Sequence, residues 1–238
     1  MAQSLKLKVI ECRMETPTVK CIRLALPSEG FSFKPGQYSS VTLTSPSGED
    51  LSHSFSIASS PTRKGFIEFA TRKSDSDFKK LLWELKEGDE VGILGPFGDF
   101  VFDATVEHIV MLSGGIGITP LRNMLEYACD MKVENKITLL FGNRSPDEIP
   151  FKKELDGLAK SYPNITIFHV VSDLPAGIQW DGRTGYVDEK MVRESVLDLE
   201  KASFFICGPP RMVEAMQNLL LGMNVPAERI RIENFTGY

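Results

Sequence analysis

The sequence predicts two domains in series, an N-terminal antiparallel β-barrel and a C-terminal α/β domain with a doubly wound parallel sheet. Its 238 residues are more than one small domain needs. Apolar and polar residues mostly alternate up to about residue 100. Beyond it, apolar strand-like runs alternate with amphipathic helical segments. We therefore expect one domain at residues 1–102 and a second at residues 103–238.

In the first half, the alternating segments are short and bounded by turns, as in a small barrel of antiparallel strands. Residues 5–9, 37–43 and 66–70 alternate with a period of two, and Pro- and Gly-containing turns separate such segments. One helix is expected near residues 77–85.

In the second half, the strand-like runs are continuously apolar, which is typical of parallel strands buried on both faces. We expect strands at residues 108–112, 137–141, 165–171 and 204–207. Helices are expected near residues 120–130, 150–160, 188–196 and 210–220. This order of elements predicts the doubly wound sheet.

Composition and charge argue against several classes of protein. Hydrophobic residues make up 42% and charged residues 25% of the chain, which is ordinary globular usage. The net charge of -5 comes without a polybasic block, so binding to nucleic acid is not expected. No apolar run approaches the roughly 18 residues of a membrane span. The four cysteines are scattered without metal-binding spacing. We expect a cytoplasmic protein without a structural metal.

A glycine-rich turn joins the first strand of the second half to a helix. Its distinctive residues are Gly114, Gly115, Gly117, Thr119 and Pro120. Glycines let the backbone approach a ligand closely, and the N–H groups at a helix start favour a phosphate. Taken alone, the turn also fits a tight connection that binds no ligand.

Polar and small groups follow the other strand ends of this half. They are Asn143, Arg144, Asp173, Cys207, Gly208 and Pro209. Ligands of open α/β sheets bind outside the carboxyl ends of the strands, so these residues are candidates for one binding site.

The first half has two candidate segments of its own. Residues 53–61 form a strand rich in hydroxyl groups, and Ser76 precedes the expected helix. These segments also fit an exposed strand edge and an ordinary helix N-cap.

The motifs together form an ordered set. They are HSFSIASSP, FATR, SDSDFKKLL, GDEVGILGPFG, GGIGITPLRNM, FGNR, VVSD, CGPPRMVEAM and RIENFTGY. This set resembles the ferredoxin–NADP reductase superfamily over nearly the whole chain. The resemblance implies an FAD-binding barrel, residues 1–102, and an NAD(P)-binding α/β domain, residues 103–238. It also implies hydride transfer from nicotinamide C4 to flavin N5.

On the flavin side, the resemblance implies that Ser56 hydrogen-bonds flavin N5 and that Phe55 forms an aromatic wall. His53 stands where an arginine is usual, so Arg72 or Lys79 is expected to supply the positive charge of that arginine. For the same reason, FMN remains an alternative to FAD. Flavin contacts implied in this way are His53, Ser54, Phe55, Ser56, Phe69, Thr71, Arg72, Ser76, Asp77, Phe78 and Tyr238.

On the nicotinamide side, the glycine-rich turn corresponds to the coenzyme's pyrophosphate site, and Cys207 and Gly208 correspond to a pair beside the nicotinamide ring. Glu233 and Phe235 match a family glutamate and an aromatic ring that covers the flavin, a role that Tyr238 could also fill. The implied catalytic residues are Ser56, Cys207, Glu233 and Phe235.

The coenzyme is expected to be NADH or NADPH. Asp173 stands where NADPH users commonly have arginine, which favours NADH, although Arg144 could reach a 2′-phosphate.

Three functions remain open. The first is a reductase that passes electrons to a separate carrier, such as ferredoxin, flavodoxin or an oxygenase component, because no cysteine spacing suits an iron–sulfur cluster. The second is an NAD(P)H:flavin reductase that uses free flavin as a substrate. The third is a dinucleotide-binding sensor without enzymatic activity.

Overall fold

The computed structural model describes residues 2–28, 30–196 and 198–235. The first half contains six strands and one helix. They are β1 (Gln3–Thr16), β2 (Val19–Ala25), β3 (Tyr38–Thr44), β4 (Asp50–Ser56), β5 (Phe66–Arg72), α1 (Asp77–Glu84) and β6 (Glu90–Phe97).

These six strands form one sheet in the order β4-β3-β6-β1-β2-β5, with every neighbouring pair antiparallel. The two edges meet, because the chain just beyond β4 bonds to β5. Ala58 N–H donates to the Glu68 carbonyl at 2.7 Å, and Glu68 N–H donates to Ser59 Oγ at 3.0 Å. The sheet therefore curls into the expected barrel, with an apolar core that includes Ile57 and Ile67.

The second half contains the remaining strands and helices. They are β7 (His108–Gly114), α2 (Ile118–Asp130), β8 (Lys136–Asn143), α3 (Lys152–Ser161), β9 (Ile165–Val171), β10 (Arg183–Thr184), α4 (Glu189–Ser195), β11 (Ala202–Gly208), α5 (Pro210–Gly222) and β12 (Ile230–Asn234). Short 3-10 turns cover Gly115–Gly117, Pro146–Glu148 and Ala227–Arg229.

The second sheet is parallel throughout, in the order β10-β9-β8-β7-β11-β12. From β7 the chain adds β8, β9 and β10 on one side of the sheet, and it then returns to the other side of β7 with β11 and β12. This reversal of the strand order is what the doubly wound fold requires. The central strands β7 and β8 are almost fully buried, which explains their continuous apolar runs. The predicted fold class is confirmed for both halves.

Two strands of this sheet were not predicted. The strand β10 has only two residues, and β12 alternates apolar and polar residues because it lies at the edge of the sheet. Neither strand contains the continuous apolar run from which the other strands of this sheet are predicted.

The chain forms two compact units. The first comprises the residues up to Phe102 together with Arg122–Asp130, and the second comprises Asp103–Leu121 with the residues from Met131 onward. Most of helix α2 therefore belongs to the barrel unit, which periodicity alone does not reveal. None of the helices in the described ranges is long and apolar enough to cross a bilayer.

Candidate functional site

In the barrel unit, the candidate residues of β4, β5 and α1 meet in one aromatic cluster. The Phe55 ring stacks on Phe78 at 5.8 Å and meets Phe69 edge-on at 6.4 Å. All three phenylalanines are buried in the barrel core. The exposed His53 packs its ring 4.8 Å from Phe78. The structure thus brings these residues together, and the role of Phe55 as a flavin wall stays a prediction.

Helix α1 begins beside two cationic side chains. Ser76 is its N-cap, and the Ser76 hydroxyl accepts a hydrogen bond from Lys79 N–H at 3.4 Å. The Lys79 ammonium lies 5.9 Å from the centre of the Phe55 ring, and the side chain is largely buried. Burial, with the nearby charge of Arg72, lowers the pKa of Lys79 to about 8. Positive charge at a helix N-terminus suits a phosphate ligand.

The remaining candidates of the barrel unit differ in exposure. Ser56 is buried at the end of β4, opposite Tyr38 of β3, whereas Ser54 is exposed. Thr71 is buried, and its hydroxyl donates to the Arg72 carbonyl at 3.3 Å. Asp77 is largely exposed and pairs with Lys80 at 3.4 Å.

In the second unit, the glycine-rich turn packs backbone against backbone on the end of β11. A Cβ atom on Gly117 would lie 2.4 Å from the Cys207 carbonyl oxygen and 2.6 Å from Gly208 Cα. Gly115 has a φ of +52°, a conformation that favours glycine. Thr119 closes the turn by donating from Oγ1 to the Ile116 carbonyl at 3.1 Å. Gly117 is therefore required by the close approach of the two segments, and Gly115 is favoured by its backbone conformation.

Three polar side chains lie in register across adjacent strands at the carboxyl end of this sheet. Cys207 of β11 pairs with Ser113 of β7 on one side and with Glu233 of β12 on the other. Ser113 Oγ and Glu233 Oε2 are buried, and neither finds a hydrogen-bond partner among the described residues. Burial raises the pKa of Glu233 to about 7. Burial, and secondarily Glu233, raises the pKa of the Cys207 thiol well above its usual value.

Asn143, Arg144 and Asp173 follow the neighbouring strands β8 and β9. Both amide atoms of Asn143 are buried, again without a hydrogen-bond partner in the described part of the chain. Arg144 Nε lies 3.6 Å from Asp173 Oδ2, and both side chains are exposed. Sequence analysis did not predict Ser113 as a site residue or the ion pair between Arg144 and Asp173. The position of Ser113 at the end of a strand was the signal that could have identified it.

The last candidates flank the same strand ends. Pro120 lies in the first turn of α2, and Pro209 immediately precedes α5. Phe235 N–H donates to the Gly208 carbonyl at 3.1 Å, so the chain beyond β12 stays attached to β11. Tyr238 lies outside the described residues.

Two family models match the chain. The oxidoreductase FAD-binding domain matches residues 6–102, and the oxidoreductase NAD-binding domain matches residues 111–218. Together they cover most of the sequence. The chain belongs to the ferredoxin–NADP reductase superfamily, and it combines an FAD-binding domain with an NAD-binding domain.

Curated relatives include a component of the Na(+)-translocating NADH-quinone reductase of Neisseria meningitidis. It is 31% identical over 204 residues, which cover 79% of this chain and 50% of the relative. NADH-cytochrome b5 reductase 2 of Mycosarcoma maydis is 33% identical over 175 residues, which cover 71% of this chain and 49% of the relative. The chain thus spans about half the length of the curated relatives it matches.

Solved structures share the fold over nearly the whole chain. A cytochrome P450 reductase of Amycolatopsis has a TM-score of 0.85 at 25% identity, covering 99% of this chain and 71% of that one. A ferredoxin NADP+ reductase of Neisseria gonorrhoeae with bound FAD and NADP has a TM-score of 0.85 at 21% identity, covering 98% and 99%.

Proposed function

We propose that this protein takes a hydride from NADH and passes the electrons, through a bound FAD, to a separate electron-carrier protein. The observation that carries the proposal is the presence of two chemically distinct sites in one chain. One is the cationic start of helix α1 in the barrel. The other is a row of polar atoms at the carboxyl ends of the parallel strands, and these atoms have no hydrogen-bond partner among the described residues. The flavin would supply the ability to accept a hydride and release electrons singly.

The barrel residues fit the diphosphate of FAD. The N-terminus of α1 offers partial positive charge, and Arg72 and Lys79 add two full charges near it. These two cations supply what the usual arginine would, since histidine stands at position 53. Ser56, at the end of β4, is proposed to donate its hydroxyl to flavin N5.

The sheet residues fit a nicotinamide coenzyme. The glycine-rich turn leads into the start of α2, whose free N–H groups suit a pyrophosphate. The Ser113 hydroxyl and the Asn143 amide, unpaired within the described part of the chain, can bind a polar ligand group. Cys207 and Glu233 are proposed to lie beside the nicotinamide ring, where the small buried thiol leaves its face accessible. Phe235 is proposed to take part in covering the flavin.

NADH is proposed over NADPH. Asp173 would repel a 2′-phosphate, and Asp173 also engages Arg144, a cation that could otherwise attract one. The names of both curated relatives specify NADH, which supports this choice.

The acceptor is proposed to be a separate protein such as ferredoxin, flavodoxin or an oxygenase component. The relatives support a separate acceptor in general terms, because their names pair NADH with different acceptors, quinone in one and cytochrome b5 in the other.

A second candidate function is that of an NAD(P)H:flavin reductase. His53 favours it, since an imidazole ring holds a diphosphate less firmly than a guanidinium group.

Purification separates the two candidates. A yellow protein that keeps one FAD per chain through gel filtration and oxidises NADH with an artificial dye supports the reductase. A colourless protein with saturable turnover of added flavin supports the flavin reductase instead. Absence of NADH and NADPH oxidation under both conditions would leave only a binding protein. A pull-down with candidate redox carriers then identifies the acceptor.

A further inference from the structure

Helix α2 makes a set of buried hydrogen bonds to the segment that follows Ser56. Asn123 Nδ2 donates to the carbonyl oxygens of Ile57 and Ser59, both at 2.8 Å. All three of these residues are essentially inaccessible to solvent. One side-chain amide therefore ties two alternate carbonyls of the segment to the helix.

Arg122 and Glu126 of the same helix hydrogen-bond two further residues of the segment, Ala58 and Ser60. Arg122 Nη1 donates to the Ala58 carbonyl at 2.9 Å, and Ser60 N–H donates to Glu126 Oε2 at 2.9 Å. Arg122 Nη2 in turn reaches Glu126 Oε1 at 3.2 Å. Three consecutive carbonyls, at positions 57 to 59, and the N–H at position 60 are thus held by side chains of one helix.

The barrel holds the same segment from its other side. Ile57 N–H donates to the Gln37 carbonyl at 3.0 Å, and Ala58 N–H donates to the Glu68 carbonyl at 2.7 Å. Glu68 is fully buried, and its carboxylate accepts a hydrogen bond from Arg122 Nη1 at 2.9 Å. Hydrogen bonds from both the helix and the barrel therefore hold residues 57 to 60, and a peptide bond joins Ser56 directly to Ile57.

We infer that Asn123 is a positioning residue that fixes the Ser56 hydroxyl through the main chain of residues 57 to 59. This inference rests on the proposed role of Ser56 at flavin N5. A hydroxyl aimed at a reacting atom must be held within a fraction of an ångström, and a misplacement of about 1 Å can cost about 100-fold in rate. A purely structural amide would instead affect stability alone.

The chain offers a matched control in Asn135. Asn135 Nδ2 also donates to two main-chain carbonyls, those of Ala104 at 3.0 Å and Val106 at 2.5 Å, and its side chain is buried. These bonds lie beside the start of β8, and no candidate site residue takes part in them. Asn123→Ala and Asn135→Ala remove the same chemistry from two different places.

The experiment measures the rate of flavin reduction by NADH at saturating coenzyme, in stopped flow, with FAD content and melting temperature recorded for each variant. Asn123→Ala is expected to slow reduction about 5- to 50-fold, whereas Asn135→Ala leaves the rate unchanged at a comparable loss of melting temperature. Asn123→Ser keeps one hydroxyl donor and is expected to fall between wild type and Asn123→Ala; it also serves if the alanine variant does not fold.

A double-mutant cycle with Ser56→Ala tests the route of the effect. Ser56→Ala alone is expected to slow reduction about 5- to 150-fold. In that background Asn123→Ala should have no further effect on the rate, because the hydroxyl it positions is gone. Additive effects, or an equal loss of rate in Asn135→Ala, would overturn the inference. An unchanged rate in Ser56→Ala alone would instead overturn the proposed role of Ser56.

Discussion

At the scale of single residues, Glu233 is the carboxyl group of the candidate site that burial perturbs most clearly. Its pKa is raised to about 7, while the unfolded chain titrates near 4.5. Between these two values the folded state binds more protons than the unfolded state. The contribution of Glu233 to stability therefore falls as the pH rises from about 4.5 to about 7, and this contribution is constant above that range.

Glu233→Gln should remove this pH dependence. The amide stays neutral at every pH, so we expect the variant to match wild type near pH 4.5 and to exceed it above pH 7. The gain is at most about 3 kcal/mol, from the size of the pKa change. Urea denaturation at several pH values measures it, with Glu228→Gln, an exposed acid, as the control. A difference between Glu233→Gln and wild type that does not vary with pH would contradict the prediction.

At the scale of elements, the start of α1 should decide the affinity for FAD. Lys79 is largely buried near Phe55, whereas the neighbouring Lys80 is exposed and pairs with Asp77. Lys79→Gln is expected to weaken FAD binding by about 1–2 kcal/mol, roughly 5- to 30-fold, because one charge at the proposed diphosphate site is lost. Fluorescence titration of the apoprotein measures it, with Lys80→Gln as the matched control.

The same site predicts a pH dependence for wild type. The pKa of Lys79 is about 8 without ligand, so raising the pH through this value removes the charge and should weaken FAD binding. In Lys79→Gln this change should be absent. An equal decline of affinity in both proteins between about pH 7 and 9 would assign the dependence to another group.

The ends of β8 and β9 should decide the choice of coenzyme. The Asp173 carboxylate lies 3.6 Å from Arg144, and both side chains are exposed, so Asp173 engages a cation that could otherwise attract a 2′-phosphate. Wild type should prefer NADH by roughly 5- to 30-fold in kcat/KM, since a nearby carboxylate repels a 2′-phosphate. Asp173→Arg frees Arg144 and adds a second cation, so NADPH should gain.

The control for this exchange is Glu107→Arg, the same change of charge just before β7, at the amino ends of the strands. It should leave the ratio of the two coenzymes as in wild type. A wild-type protein that prefers NADPH severalfold would show that Arg144, rather than Asp173, determines the choice between the two coenzymes.

At the scale of the whole molecule, the barrel unit contains a buried charge cluster around Glu68. Its carboxylate accepts hydrogen bonds from Arg13, Arg23 and Arg122 at distances between 2.5 and 3.1 Å. Burial alone would raise the pKa of Glu68, but the hydrogen bond from Arg13 and the charges of Arg122 and Arg13 outweigh it and lower the pKa. This contribution to stability is present above pH 4.5 and is lost as the pH falls through the lowered value.

Glu68→Gln should therefore destabilise the protein by about 3–5 kcal/mol at neutral pH, because three arginines lose their shared counter-charge in a buried place. The difference from wild type should shrink on acidification. Glu11→Gln is the control, since Glu11 pairs with Arg23 at the surface and should cost less than about 1 kcal/mol. Chemical denaturation at pH 7 and pH 4 compares the three proteins, and equal losses in both variants would contradict the prediction.

The sequence alone determined the fold class and the order of the elements other than β10 and β12. Alternation with a period of two and continuous apolar runs are local consequences of which strand faces are buried, so they are readable without a structure. The glycine-rich turn and the N-cap Ser76 were readable for the same reason, because both depend on a few adjacent residues.

Only the tertiary structure decided which distant residues meet. The packing of Arg122–Asp130 with the barrel, the two carbonyls held by Asn123, and the register of Ser113, Cys207 and Glu233 all join residues far apart in the chain. The raised pKa of Glu233 and the lowered pKa of Lys79 depend on burial, which no local pattern specifies. Contacts of this kind arise from the way whole elements pack, so they appear only once the chain is folded.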